Sequence, residues 1–301
     1  TRMERLLIVG YGDIARRVAD RLPPGIEVRA LARQPAIHQR VTPLVADLDH
    51  SDSLARVGGW ADTVLHCAPP PPEGEADART ARLLAALERG ADSTNSLPTR
   101  VVYISTSGVY GDCGGALVDE TRSLNARSAR GRRRVDAERR LTDWCSRQGA
   151  TLVILRAPGI YAADRLPLER LRAGTPVLAD SEDVYTNHIH ADDLATAALR
   201  ALDADAPAGV YNASDDTRMK MGDWFDLLAD QHGLPRPPRV SRIEAERRIP
   251  AETLSFMRES RRLDNRRLKA LLGVRLAYPT VQDGVSQRGV PQRVSCRVES
   301  A

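Results

Sequence analysis

One six-residue run limits the possible folds of this chain more than any other feature. Gly10-Tyr11-Gly12-Asp13-Ile14-Ala15 follows the apolar run Leu6-Leu7-Ile8-Val9 directly and opens a helical pattern. In that strand–turn–helix setting the first glycine permits a tight turn. The second lets backbone approach a pyrophosphate, and Ala15 lets helix pack closely on strand. The helix start adds free N–H groups and a partial positive charge. Gly10, Gly12, Asp13, Ile14 and Ala15 are therefore expected to bind a dinucleotide.

The residues beyond the glycine loop agree with that expectation. Apolar, strand-like runs occur at Arg5–Val9, Glu27–Leu31, Thr42–Ala46, Thr63–Cys67, Arg100–Ser105 and Thr151–Leu155. Helical patterns at Asp13–Leu22, Asp77–Gly90 and Arg132–Arg147 separate several of them. Near-continuous apolar strands alternating with helices predict an α/β protein, a Rossmann-type doubly wound parallel sheet. After about Pro158 prolines and loops predominate, with one more helix and strand at Ala191–Leu202 and Gly209–Asn212. The expected division is a dinucleotide-binding domain over 1–160, joined by about 186–213, and a smaller, interleaved substrate-binding region over 161–287. Residues 288–301 read as a loose tail.

The end of the second strand sets cofactor choice. A site for NAD(H) places a carboxylate there for the ribose hydroxyls. This chain has Ala30-Leu31-Ala32-Arg33 instead, and an arginine suits a 2′-phosphate, with Arg16 or Arg17 assisting from the helix start. NADP(H) is therefore favoured, with NAD(H) the alternative. Asp47, beside Leu48 after the third strand, either accepts from the adenine amino group or caps the helix near Ser51. Ala68 and Pro69, after the fourth strand, lie on the expected cofactor path.

Several other functions lose support here. Cys67, Cys113, Cys145 and Cys296 have neither metal-ligand nor redox-pair spacing, and scattered cysteines fit a reducing compartment. No apolar stretch reaches the roughly 18 residues of a membrane span, so a soluble, cytoplasmic protein is expected.

The most specific segment is Val102-Tyr103-Ile104-Ser105-Thr106-Ser107-Gly108-Val109-Tyr110-Gly111-Asp112, followed by Val118-Asp119-Glu120. With Arg156-Ala157-Pro158-Gly159-Ile160-Tyr161, Asn187-His188-Ile189-His190-Ala191-Asp192-Asp193-Leu194, Leu271-Leu272-Gly273 and Tyr278-Pro279, it resembles the extended short-chain dehydrogenases/reductases over roughly residues 5–285. That group is also called the NAD-dependent epimerase/dehydratase family. The resemblance implies an oxidoreductase or epimerase acting on a nucleotide sugar or a similar carbonyl or hydroxyl compound. It gives Thr106 the role of holding the substrate oxygen, and puts Pro158 and Ile160 among the cofactor-binding residues.

The family's Tyr-x-x-x-Lys pair is replaced by Arg130 and Arg134. Arginine stays protonated, so Arg130 cannot act as the usual base, while Arg134 remains able to contact ribose or phosphate. The chain thus resembles an atypical subgroup without the tyrosine. Tyr161, Tyr185 and His188 are the candidate replacements near the substrate, and a catalytically inactive NADP(H)-binding regulator or scaffold is the alternative. The resemblance also implies a homodimer through the second and third long helices.

Nine arginines lie between Arg122 and Arg147. Ala137, Leu141, Trp144 and Cys145 give that helix a buried stripe, with Arg132, Arg133, Arg139 and Arg140 largely off it. They read as a solvated face, as a phosphate site, or as a nucleic-acid surface. The absence of interleaved aromatic residues, 4% of the chain overall, argues against the last.

Overall fold

A computed structural model describes residues 2–286. Seven parallel strands form the central sheet: β1 (Arg5–Val9), β2 (Glu27–Ala32), β3 (Val41–Val45), β4 (Thr63–His66), β5 (Arg100–Thr106), β6 (Thr151–Ala157) and β7 (Gly209–Asn212). Their spatial order is 3-2-1-4-5-6-7. The order reverses at β1, so a crevice opens between the carboxyl ends of β1 and β4, where such sheets bind ligands.

Successive side chains alternate between two cores. Leu6, Ile8, Leu65, Val102 and Val153 face one side, covered by α1 (Asp13–Ala19) and later by α5 (Ala191–Leu202). Leu7, Val9, Val64, Val101, Tyr103 and Ile154 face the other, under α2 (Ala78–Thr94) and α3 (Ala129–Gln148). Between α3 and α5 lies the short α4 (Leu168–Arg172), and after β7 comes α6 (Met221–Gln231). Leu171, Val177, Met221, Trp224 and Phe225 belong to a third apolar cluster, off the sheet. No helix among the described residues is long and apolar enough to cross a membrane.

Helix ends differ from the sequence expectation for identifiable reasons. α2 does not stop at Gly90; it runs to Thr94, and Asn95 closes it in the left-handed conformation at φ 53°. Gly90 serves close packing, since a Cβ there would fall on the Gly58 backbone. α3 begins three residues before Arg132, because Ser128 Oγ caps it by accepting from the Gly131 N–H at 3.1 Å. That extra turn brings Arg130 into the helix. α1 ends at Ala19 rather than Leu22, and β3 lies one residue earlier than expected. The tail assigned to 288–301, with Cys296, lies outside the described residues.

Candidate functional site

At the crevice, the Gly10 N–H donates to Leu31 O at 2.9 Å and the Cys67 N–H to Val9 O at 2.8 Å, so β1, β2 and β4 end together. Gly10 has φ +84°, and a Cβ there would meet the Ala68 backbone at 2.9 Å. Gly12 is different: its φ of −102° suits any residue, yet a Cβ would meet nothing within 4 Å. The space beside it is a cradle that a side chain would fill, as expected where a pyrophosphate lies against backbone.

Gly10, Gly12, Arg33, Asp47, Leu48, Ala68 and Pro69 all line one cavity of about 630 Å³. Ile37 stands on its rim, 94% exposed. Arg33 is exposed and has no ion-pair partner among the described residues. Asp47 does not cap the helix near Ser51, which His50 precedes. Its carboxylate instead accepts from the Asp49 N–H at 2.8 Å, closing a turn, and lies 3.1 Å from His50 Nδ1. These bonds, the Asp49 N–H foremost, hold its carboxyl below the ordinary range.

Other expected cofactor residues are placed elsewhere. Asp13 bonds to Arg16, Arg17 and Arg165 at 2.6–3.0 Å. Ile14, Ala15 and Ile160 pack into the core rather than onto the cavity wall. Arg16 and Arg17 do not line this cavity, and carboxylates hold both; Arg16 pairs with Asp13 at 2.6 Å. Arg17 pairs with Asp192 at 2.7 Å and with Asp164 at 3.1 Å, residues far along the chain.

A second cavity, about 540 Å³, adjoins the first at Pro69, which lines both. Its walls bring together Thr106, Arg130, Arg134, Pro158, Tyr185 and His188. Thr106 closes β5, and its Oγ1 accepts from the Gly108 N–H at 3.2 Å, leaving the hydroxyl proton for an incoming oxygen. Arg134 donates to Tyr103 Oη at 3.0 Å and Ile104 O at 3.2 Å, which fixes it to the end of β5. Arg130 stacks on Phe256 at 3.6 Å and donates to Ser255 Oγ. Among the described residues, Tyr185 is the one tyrosine on this wall and no lysine lines it.

The remaining candidate acids separate. His188 lies 2.9 Å from Thr186 Oγ1, and burial pushes its pKa down to about 3, so the ring is neutral near pH 7. Tyr161 does not border the cavity: it is 2% exposed, and a Cβ on Gly284 would strike its ring. Its phenol is a packing group that donates a long bond to Thr280 O. His190 caps α5, accepting from the Asp192 N–H at 3.0 Å. Asp193 instead accepts from the N–H groups of Ala277 and Tyr278 at 2.8 and 2.9 Å, holding the closing loop.

Sequence spacing did not mark two supports of this site. Arg79 clasps Asp49 at 2.8 and 2.9 Å while donating to Pro69 O and Pro70 O, which fixes the proline run between the cavities. Behind Thr106, Arg156 pairs with Glu138 at 2.7 and 3.2 Å, and both are 6% exposed. Ser105 donates to the same carboxylate, and Tyr110 links Arg156 to Asn212. Along α3, Arg132 pairs with Glu75, Arg133 donates to Gly74 O at the cavity wall, and Arg140 pairs with Asp136.

A profile of the NAD dependent epimerase/dehydratase family matches residues 6–214. Among solved structures, a functionally unknown conserved protein from Silicibacter pomeroyi is 31% identical, with TM-score 0.76, over 94% of this chain and 97% of that one. MoeE5 in complex with UDP-glucose and NAD is 21% identical, with TM-score 0.72 over 94% and 96%. UDP-glucose 4-epimerase from Thermotoga maritima is 19% identical, with TM-score 0.73 over 93% and 96%. At those lower identities the likeness shows the fold alone. No curated protein matches the chain.

Proposed function

The chain belongs to the NAD-dependent epimerase/dehydratase family, and we propose that it is an NADP(H)-dependent oxidoreductase or epimerase that works without the family's usual tyrosine–lysine pair. The observation that carries this reading is that the two cavities adjoin at Pro69, which lines both. One lies on the glycine loop with Arg33, which has no ion-pair partner among the described residues, and the other is built around Thr106.

Gly10, Gly12, Ala68 and Pro69 would hold the dinucleotide, Asp47 would accept from the adenine amino group, and Arg33 would take a 2′-phosphate. A nicotinamide held there would supply or accept a hydride. Thr106 would donate its hydroxyl proton to the substrate oxygen and orient it. Arg134, fixed to β5, would offer its remaining donors to ribose or phosphate. The substrate is a nucleotide sugar or a similar carbonyl or hydroxyl compound, a class that the MoeE5 complex illustrates for that protein. We likewise propose the division of the chain into 1–160 with 186–213 and a substrate-binding region over 161–287.

A fluorescence titration with NADPH and NADH tests the cofactor assignment. NADPH is expected to bind more tightly, and Arg33→Ser is expected to remove that preference by about tenfold or more. Equal affinity for both cofactors would refute the role of Arg33. Once turnover is found, Thr106→Val should abolish it, and unchanged turnover would refute the role of Thr106.

The second reading, a regulator that binds NADP(H) without turnover, is favoured by Arg130 on the cavity wall. It predicts NADPH binding with no reaction across a broad substrate screen. Activity gained on a family substrate by Arg130→Tyr with Arg134→Lys would show that only proton transfer had been lost.

A further inference from the structure

The second cavity is strongly cationic. Among the described residues, five arginines line it, Arg130, Arg133, Arg134, Arg170 and Arg261, against one carboxylate, Glu259. Four of the five have protein partners. Arg130 donates to Ser255, Arg133 to Gly74 O, and Arg134 to Tyr103 and Ile104 O, while Arg261 pairs with Glu259 at 3.1 Å and donates to Gly111 O.

Arg170 is the exception. It enters the cavity from α4 and stacks over the Phe225 ring at 4.4 Å, beside Met221 and Trp224 of α6. Its Nε and Nη2 are sealed from solvent and bond to nothing among the described residues. Those two nitrogens form the side-on edge of the guanidinium, whose parallel N–H groups match the two oxygens of a carboxylate or phosphate. Two sealed N–H groups with no acceptor among the described residues are costly, and partial burial of the guanidinium pulls its pKa below the usual value. Rotation about the last side-chain torsions would turn that edge into the cavity, where the counter-charge would come from a ligand.

We propose that Arg170 anchors an oxyanion of the substrate, so the cavity takes compounds that join a carboxylate or phosphate to an apolar body lying on Met221, Trp224 and Phe225. The proposal rests on the reading of this cavity as the substrate site. It adds a recognition element supplied by α4 and α6 rather than by the sheet.

Calorimetry on the full chain, with benzoate, phenyl phosphate and neutral benzyl alcohol as probes, tests it. At least one anion should bind about tenfold or more tightly than the alcohol, because charge-assisted pairs contribute on that order. The tighter of the two identifies the oxyanion. Arg170→Met, which keeps an apolar stem over Phe225, should lose that preference while NADPH binding, titrated in parallel, stays unchanged. No preference for either anion, or a preference that survives in Arg170→Met, would overturn the proposal. Loss of NADPH binding in the wild-type chain would instead count against the cofactor reading, so the two failures are distinguishable.

Discussion

Gly10 and Gly12 sit two residues apart on one turn, yet different physics demands each. Gly10 needs its left-handed backbone and the absence of a Cβ, because the Ala68 backbone lies against it. An alanine there is expected to lower unfolding stability by about 1–3 kcal/mol through strain and contact. Gly12 has ordinary dihedrals and open space where a Cβ would project. Gly12→Ala should leave the melting temperature within a few degrees of wild type while weakening NADPH binding by about tenfold or more. Thermal melts and NADPH titrations of both variants check the pair. If Gly12→Ala bound NADPH normally, the space beside it would not be where the pyrophosphate lies. The fingerprint itself was legible in the sequence; that a Cβ would strike Ala68 at Gly10 and meet open space at Gly12 was not, because Ala68 approaches Gly10 only once β1 and β4 are paired.

Among the elements, the Arg156–Glu138 pair joins β6 to α3 behind Thr106, and Ser105, Tyr110 and Asn212 extend it to β5 and β7. Removing one partner leaves a buried charge uncompensated. Arg156→Met and Glu138→Leu should therefore each cost about 3–5 kcal/mol, whereas the double variant should cost less than the sum. Urea denaturation of the three variants measures this, and strict additivity would contradict the coupling. The chain order of these strands and long helices was readable from apolar periodicity, a local property. The helix ends were less so. Gly90 read as a stop because glycine commonly closes helices, but close packing on Gly58 is the stronger demand there.

For the molecule as a whole, two buried histidines set an acid limit. His66 and His188 both have pKa values pushed down to about 3 by burial, against 6.5 in the unfolded chain. Between those values the unfolded chain takes up protons that the folded one refuses. Their contribution is therefore fully present above about pH 6.5 and is lost as pH falls toward 3. Asp193 is raised by burial and Asp215 well above the ordinary carboxylate value by the same cause, so both act in the opposite sense above the normal carboxylate range. From pH 6.5 to 5.0, His66→Asn should lose roughly 1.5 kcal/mol less than the wild type. Denaturant titrations at the two pH values compare the slopes, and identical slopes would mean that His66 titrates normally in the fold.

By itself the sequence determined the sheet, the glycine loop and the location of Thr106 at the end of β5, because periodicity and short motifs record interactions between residues near in sequence. Tertiary structure alone decided which charged and aromatic groups are available for chemistry. Arg17 is held by Asp164 and Asp192, Tyr161 is enclosed under Gly284, and Arg170 is drawn into a cavity beside Phe225. The physical reason is that an arginine or a tyrosine acts through whatever surrounds it, and those neighbours arrive from distant parts of the chain only when the layers pack.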